Sequence, residues 1–263
     1  MRIAISISDI QAIKADLRKA HPETKPSNRM EAAAVGLGFK TYAGFRATLT
    51  NGPIFVEPND SIYYSRLGVS DAVGTSCSKR VLSRAIWRIP LCRVLDEHPD
   101  LTQCGFDSIW QGDRDELALP IPERETLLAG RRHEAYEDGR STDQFELAMR
   151  FFSQQKMIKS LNRMISSYVL KHRAEGLSRH YGLFTHLGNY VSNGMLIAAA
   201  YASGFMVRRI RYDSYNAWFN ISSNYPGPCQ GGRSVIHTIH ESRGTRRAYE
   251  AGVGRVGAAP SAA

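Results

Sequence analysis

Cysteine is sparse in this chain: 4 in 263 residues, and none in a CxxC pair. Cys77, Cys92, Cys104 and Cys229 stand far apart. That spacing excludes a zinc ribbon and a dithiol redox motif, and a disulfide framework is not expected at this length. Four reduced thiols in a cytoplasmic protein is the expectation. No stretch approaches the about 18 uninterrupted apolar residues of a membrane-crossing helix. The opening MRIAISISDIQAIKADLRK soon meets Asp9 and has no small-residue cleavage site, so no secretory signal is expected. P-loop and GxSxG motifs are absent, and no GxGxxG sits in a convincing context. HEAYE (133–137) carries Glu137 where a zincin helix has its second histidine, and Gly176 follows His172-Arg173-Ala174-Glu175 where an inverted zinc motif needs one. Neither can grip zinc with two imidazoles. His237 and His240, with Cys229 upstream, do not match finger spacing and read as ordinary polar residues. No metal and no cofactor are expected.

Acidic residues are scarce after Arg150. Residues 150–247 hold 14 Lys+Arg against 3 Asp+Glu, within a formal net charge of +9. With only Glu175, Asp213 and Glu241 there, two-metal phosphoryl chemistry lacks its carboxylates. Residues 101–149 reverse the balance, with 11 Asp+Glu against 5 Lys+Arg. A basic region behind an acidic block points to a polyanionic partner. The competing reading is a solvated basic face, or one neutralised by the acidic block itself.

The local patterns predict an α+β fold, mostly helical. A small three-helix module spans 1–52, a mixed acidic region 53–140, a basic helical domain with a β-hairpin 141–245 and a disordered tail 246–263. Ile10, Ile13 and Leu17 recur at helical spacing behind a capping box expected at Ser8-Asp9-Ile10-Gln11. Pro26-Ser27 opens a second helix that Gly36 and Gly38 end, and Thr41 starts a third. Helix, glycine turn and helix also fit a degenerate helix-turn-helix presenting Lys40, Arg46 and Thr48, although a plain packing module is the simpler reading. Residues 51–65 read as turn, strand and turn. Residues 77–95 read as an amphipathic helix up to Pro90, 96–125 as loop with short helices, and Glu123 to Asp138 as helix.

Ser141-Thr142-Asp143-Gln144 is expected to cap a helix bearing the stripe Phe145, Ala148, Met149 and Phe152. Ile158, Leu161, Ile165 and Tyr168 continue at similar spacing. A helix there would line up Lys156, Lys159 and Arg163 on its exposed edge. SYVLKHRAEGLSRHYG reads as the next helix, capped by Ser166 or Ser167. GMLIAAAYAS, capped by Ser192 or Asn193, reads as a buried scaffold helix, because it offers little to base edges. Capping is favoured there over anion binding at the helix start. FMVRRIRY and YNAWFNIS read as strands. Helix, helix and hairpin in that order are winged-helix-like.

Two stretches carry a resemblance. KPSNRMEAAAVGLGFKTYAGFRATL resembles the small helical module called glyoxalase-related in bacterial proteins, on Ser27, Glu31, Leu37, Gly38, Phe39 and Tyr42. No metal-ligand set accompanies it. SSYVLKHRAEGL, then NYVSNGMLIAAAYASGF and NAWFNIS, resembles an uncharacterised family carried on bacterial plasmids and integrative elements. The matching positions include Ser167, Tyr168, Leu170, Lys171, His172, Ala174, Glu175, Tyr190, Ser192, Asn193 and Gly194, with Val169 where the pattern has glycine. The resemblance implies a mobile-element context and no established activity.

The expected function is nucleic-acid binding, DNA foremost, in an accessory or regulatory protein that meets mainly phosphates. Lys156, Lys159, Arg163, Lys171, Arg173, Arg179, Arg208, Arg209 and Arg211 are the expected contacts. One alternative is a protein-binding inhibitor or adaptor with a host partner, such as an anti-defence factor. Another is a metal-independent enzyme acting on nucleic acid, with His172 as base and Glu175 orienting it. No membrane partner is expected, and oligomeric state is not legible.

Overall fold

The computed structural model describes residues 1–68, 80–112, 114–182 and 184–224, all within one compact unit, Met1–Pro226. Cys77, Cys229, His237, His240 and the tail expected at 246–263 lie outside the described residues. The fold is α+β and mostly helical, as the patterns predict.

Ile3–Ile5 (β1) precedes Ile10–Ala20 (α1), Pro26–Gly36 (α2) and Tyr42–Thr50 (α3), and Ile54–Val56 (β2) returns to pair antiparallel with β1. Ile10, Ile13 and Leu17 are buried on α1. Its capping box sits two residues earlier than expected. A 3-10 turn, Ile7–Asp9, precedes the helix, and both Ser6 N and Ser6 Oγ donate to Asp9 Oδ2 at 2.7 Å. Gly38 takes φ +90° after α2, where a side chain would strain the backbone, and Thr41 Oγ1 accepts from Gly44 N at 3.1 Å. On α3 only Phe45 and Leu49 are buried, and Lys40, Arg46 and Thr48 are exposed.

Asp60–Leu67 (α4) is a helix where the sequence suggests a turn. Asn59 does both jobs: it punctuates the chain and caps the helix, accepting from Ile62 N at 3.1 Å. Val81–Glu97 (α5) runs through Pro90 instead of stopping there. The proline removes one backbone donor, but Leu91, Val94 and Leu95 beyond it are buried, and that burial offsets the lost bond. Leu101–Thr102 (β3) and Gly105–Phe106 (β4) form a tight hairpin. Arg114–Ala118 (α6), Ile121–Glu137 (α7) and Gly139–Phe152 (α8) follow. Asp138, not Ser141, caps α8, accepting from Arg140 N at 2.9 Å.

The largest departure is Met157–Ser166 (β5), a strand where helical spacing is expected. Ser167–Tyr181 (α9), Asn193–Ala202 (α10), Val207–Arg209 (β6) and Ala217–Ile221 (β7) complete the fold. The sheet order is β5-β7-β6, all antiparallel. Along β5 the register slips twice: Met157 faces Ile221, Asn162 faces Phe219 and Ser166 faces Trp218. Bulges insert extra residues on one side of a ladder. They stretch the period-2 pattern so that Ile158, Leu161 and Ile165 fall three and four apart, which imitates a helix. Asn162 Nδ2 donates to Ile221 O, and Asn220 Nδ2 donates to Ile158 O, both at 3.0 Å, so side chains close the gaps that the bulges leave.

One hydrophobic cluster draws on every region: Ile13 and Phe45, Trp87 and Leu101, Phe152, Leu196 and Phe219. Helix α10 lies at its centre, with Gly194 to Ala200 all buried. The second helix of a helix-helix-hairpin unit would be the one to enter a DNA groove. Here it is walled in by α5, α8, α9 and the β3–β4 hairpin.

Candidate nucleic-acid interface

On α5, Arg84 and Arg88 follow Arg80 at four-residue spacing, so the three share one edge. The acidic block meets that edge. Arg80 Nε donates to Asp143 Oδ1 at 3.1 Å and Arg84 Nη2 to Asp143 Oδ2 at 2.6 Å. Arg88 pairs with Asp16 at 2.6 Å and with Glu137 at 3.0 Å. Glu146 binds Arg80 and, at 2.7 Å, Arg150. Arg131 binds Asp107 at 3.1 Å and also Glu116.

Asp143 is fully buried, and His186 Nε2 lies 2.8 Å from its Oδ2. Burial alone would raise the Asp143 carboxyl, yet the guanidiniums of Arg84 and Arg80, with His186, hold it below the usual carboxylate range. Sequence reasoning took Asp143 for a cap residue and missed this network. The available signal was the Arg80, Arg84, Arg88 row.

Five acids of the block, Asp107, Glu116, Glu137, Asp143 and Glu146, are therefore bound by arginines. Of the nine expected contacts, Lys156, Lys159, Arg163, Arg179 and Arg208 have no acidic partner within 4.0 Å among the described residues, and all five are exposed. Four of them sit on the β5-β7-β6 sheet or at its start, and Arg179 lies in the last turn of α9. Along β7, Ala217, Phe219 and Ile221 enter the core and Asn220 is buried as well, while Trp218, on the face opposite Ala217 and Phe219, is half-buried. Arg208 is the direct cross-strand neighbour of Trp218, and the Arg163 guanidinium lies 5.4 Å from the Trp218 ring centroid. Met164, Met206 and Tyr212 are exposed on the same sheet or beside it, Tyr212 to 80%.

The other expected contacts are placed differently. Lys171 is buried, 3.4 Å from Glu175 Oε1, with its ammonium 4.3 Å from the Tyr190 ring centroid. Arg209 donates to Ser214 O at 2.9 Å and to Gln111, packs on Phe106, and lies 3.8 Å from Asp100. Arg211 is exposed and 3.3 Å from Asp213. Arg173 is half-buried and has its own partners.

His172 and Glu175 do meet, with Nδ1 2.8 Å from Oε2. A carboxylate oxygen accepts, so Nδ1 is the donor of this contact, on a half-exposed ring. Glu175 Oε1 also accepts from Val191 N at 3.3 Å, which ties α9 to the segment leading into α10. The motif that follows is scaffold. Ser192 Oγ accepts from Met195 N at 3.3 Å, and Ser192 N donates to Gln144 at 2.8 Å. Asn193 Nδ2 donates to Tyr215 O at 2.8 Å and Cys104 O at 3.2 Å. Gly194 N donates to Gln103 O at 2.9 Å, and a Cβ at Gly194 would lie 1.7 Å from Thr102 O. Carbonyls of the β3–β4 hairpin thus occupy the start of α10, where an anion would otherwise bind.

Among the described residues no His, Cys, Asp and Glu cluster is suited to a metal, and no helix is long and apolar enough to cross a membrane. Searches of protein-family models, curated proteins and solved structures return no match to this chain.

Proposed function

We propose that the chain binds nucleic acid through the β5-β7-β6 sheet, mainly by phosphate contacts, as an accessory or regulatory protein of a bacterial mobile element. One observation carries the binding: Glu137, Asp143 and Asp107 of the acidic block are engaged by Arg80, Arg84, Arg88 and Arg131, while Lys156, Lys159, Arg163 and Arg208 stand exposed on the β5-β7-β6 sheet or at its start with no acidic partner within 4.0 Å among the described residues. Unpaired cations gathered on an exposed surface release counterions from a polyanion when they meet it. The mobile-element context rests on the Lys171-to-Glu175 and Tyr190-to-Gly194 resemblance. Affinity for nucleic acid should fall steeply between about 50 and 200 mM salt. A flat salt response, or no shift with any DNA or RNA, would reject the proposal.

A second reading, a protein-binding adaptor, draws on a cleft of about 520 Å³ beside β1, lined by Ile3, Phe55, Pro90, Met149, Met157 and Phe205. Phe55 is 71% exposed at its rim. A stable complex with a host protein that survives nuclease treatment would select this reading.

A further inference from the structure

We infer that the Arg163–Trp218 pair is a stacking platform for unpaired bases, so that the proposed polyanion is single-stranded nucleic acid; this rests on the proposed sheet interface. Three observations converge. First, α10, placed where a groove-reading helix would stand, is buried from Gly194 to Ala200 and carries nothing to read base edges. Second, exposed apolar side chains lie among the cations of this sheet: Met164, 60% exposed, follows Arg163 in the chain, and Met206, 46% exposed, lies two residues before Arg208. A duplex presents phosphates there and keeps its base faces stacked inside, so those apolar groups would gain nothing from it. A single strand offers both phosphates and π-faces.

Third, the Trp218 ring stands on the outer face of the central strand, with the Arg163 guanidinium 5.4 Å from its centroid and Arg208 beside it. Guanidinium planes and aromatic rings both take bases by stacking. A base laid on Arg163 would add to the Arg163–Trp218 contact, and Arg208, Lys159 and, at the start of the sheet, Lys156 supply cations for the phosphates that flank it. The β5 bulges fix where Arg163 falls. Without the slip between Met157 and Asn162, Arg163 would meet a different position on β7.

The test uses the full chain and three labelled ligands of equal length: oligothymidine, an abasic sugar–phosphate strand of the same charge, and a DNA duplex. Stacking is worth about 1–3 kcal/mol per base, or roughly 5- to 150-fold in Kd. Oligothymidine should bind tighter than the abasic strand by at least the lower of these factors, and tighter than the duplex. Trp218→Ala should remove that advantage and leave abasic binding unchanged. Because Trp218→Ala can disturb the sheet, Arg163→Lys is the second variant: it keeps the charge and loses the plane. It should weaken oligothymidine alone.

Equal binding of oligothymidine and abasic strand, or preference for duplex, would overturn the stacking platform and leave the polyanion proposal standing. Failure to bind any of the three would overturn both. Binding to phosphatidylglycerol vesicles with no binding to oligothymidine would assign the surface to lipid headgroups and likewise overturn both.

Discussion

Arginines on α5 and arginines on the β5-β7-β6 sheet are the same side chain put to opposite uses. Arg80, Arg84 and Arg88 stand on a helix edge facing the acidic residues of α7 and α8, and each is neutralised by at least one carboxylate. Arg163 and Arg208 stand on an outward sheet surface with an indole between them and no acid within reach among the described residues. The first group is internal structure, because a guanidinium removed from water must be paired. The second keeps its charge available. Net charge alone could not separate them; what separates them is where the acidic block folds.

The strongest way to break this contrast is at Asp143. Asp143→Ala should cost about 3 kcal/mol in urea denaturation, because it leaves the half-buried Arg80 and Arg84 without their shared, fully buried carboxylate. The folded fraction should bind nucleic acid as before. Next comes Gly194→Ala, whose methyl group would overlap Thr102 O. It should destabilise by about 1–3 kcal/mol and loosen the β3–β4 hairpin from α10.

Acid sharpens the same comparison. The Asp143 carboxyl is held below its ordinary value, so its contribution is present above the unfolded carboxylate pKa of about 3.9 and is lost as pH falls through the lower folded value. Stability followed by urea midpoint should decline below about pH 4, and Asp143→Asn should flatten that part of the decline. Arg163→Ala and Arg208→Ala sit at the other end. Each should change stability by no more than about 0.5 kcal/mol, while reducing the salt slope of binding by about one. His172→Ala should also cost little stability, about 0.3–0.5 kcal/mol, since its pair with Glu175 is half-exposed, and should leave binding unchanged.

Much of the helical frame was legible because its signals are local. The apolar spacing of α1, the Phe145 to Phe152 stripe and the alanine-rich α10 each say helix, and in α10's case buried helix, without reference to other elements. Ser192 as a cap and the His172–Glu175 contact were legible for the same reason. What escaped depends on distant partners. β5 takes its irregular register from β7, about sixty residues away, so its apolar spacing pointed to the wrong element. Asp143 looked like a cap because its true partners lie about sixty residues upstream. Trp218 was seen as part of an alternating strand, but its arginine neighbours come from two other strands.

The irregular register of β5 has a consequence for the molecule in a crowded solution. This strand forms one border of its sheet, and a regular border invites a second molecule to extend the ladder into an aggregate. Two slips and the charges of Lys156, Lys159 and Arg163 along its length leave no straight row of donors and acceptors to copy. The protein can keep the apolar surface of Met157 and Met164 uncovered without recruiting its own copies into fibrils.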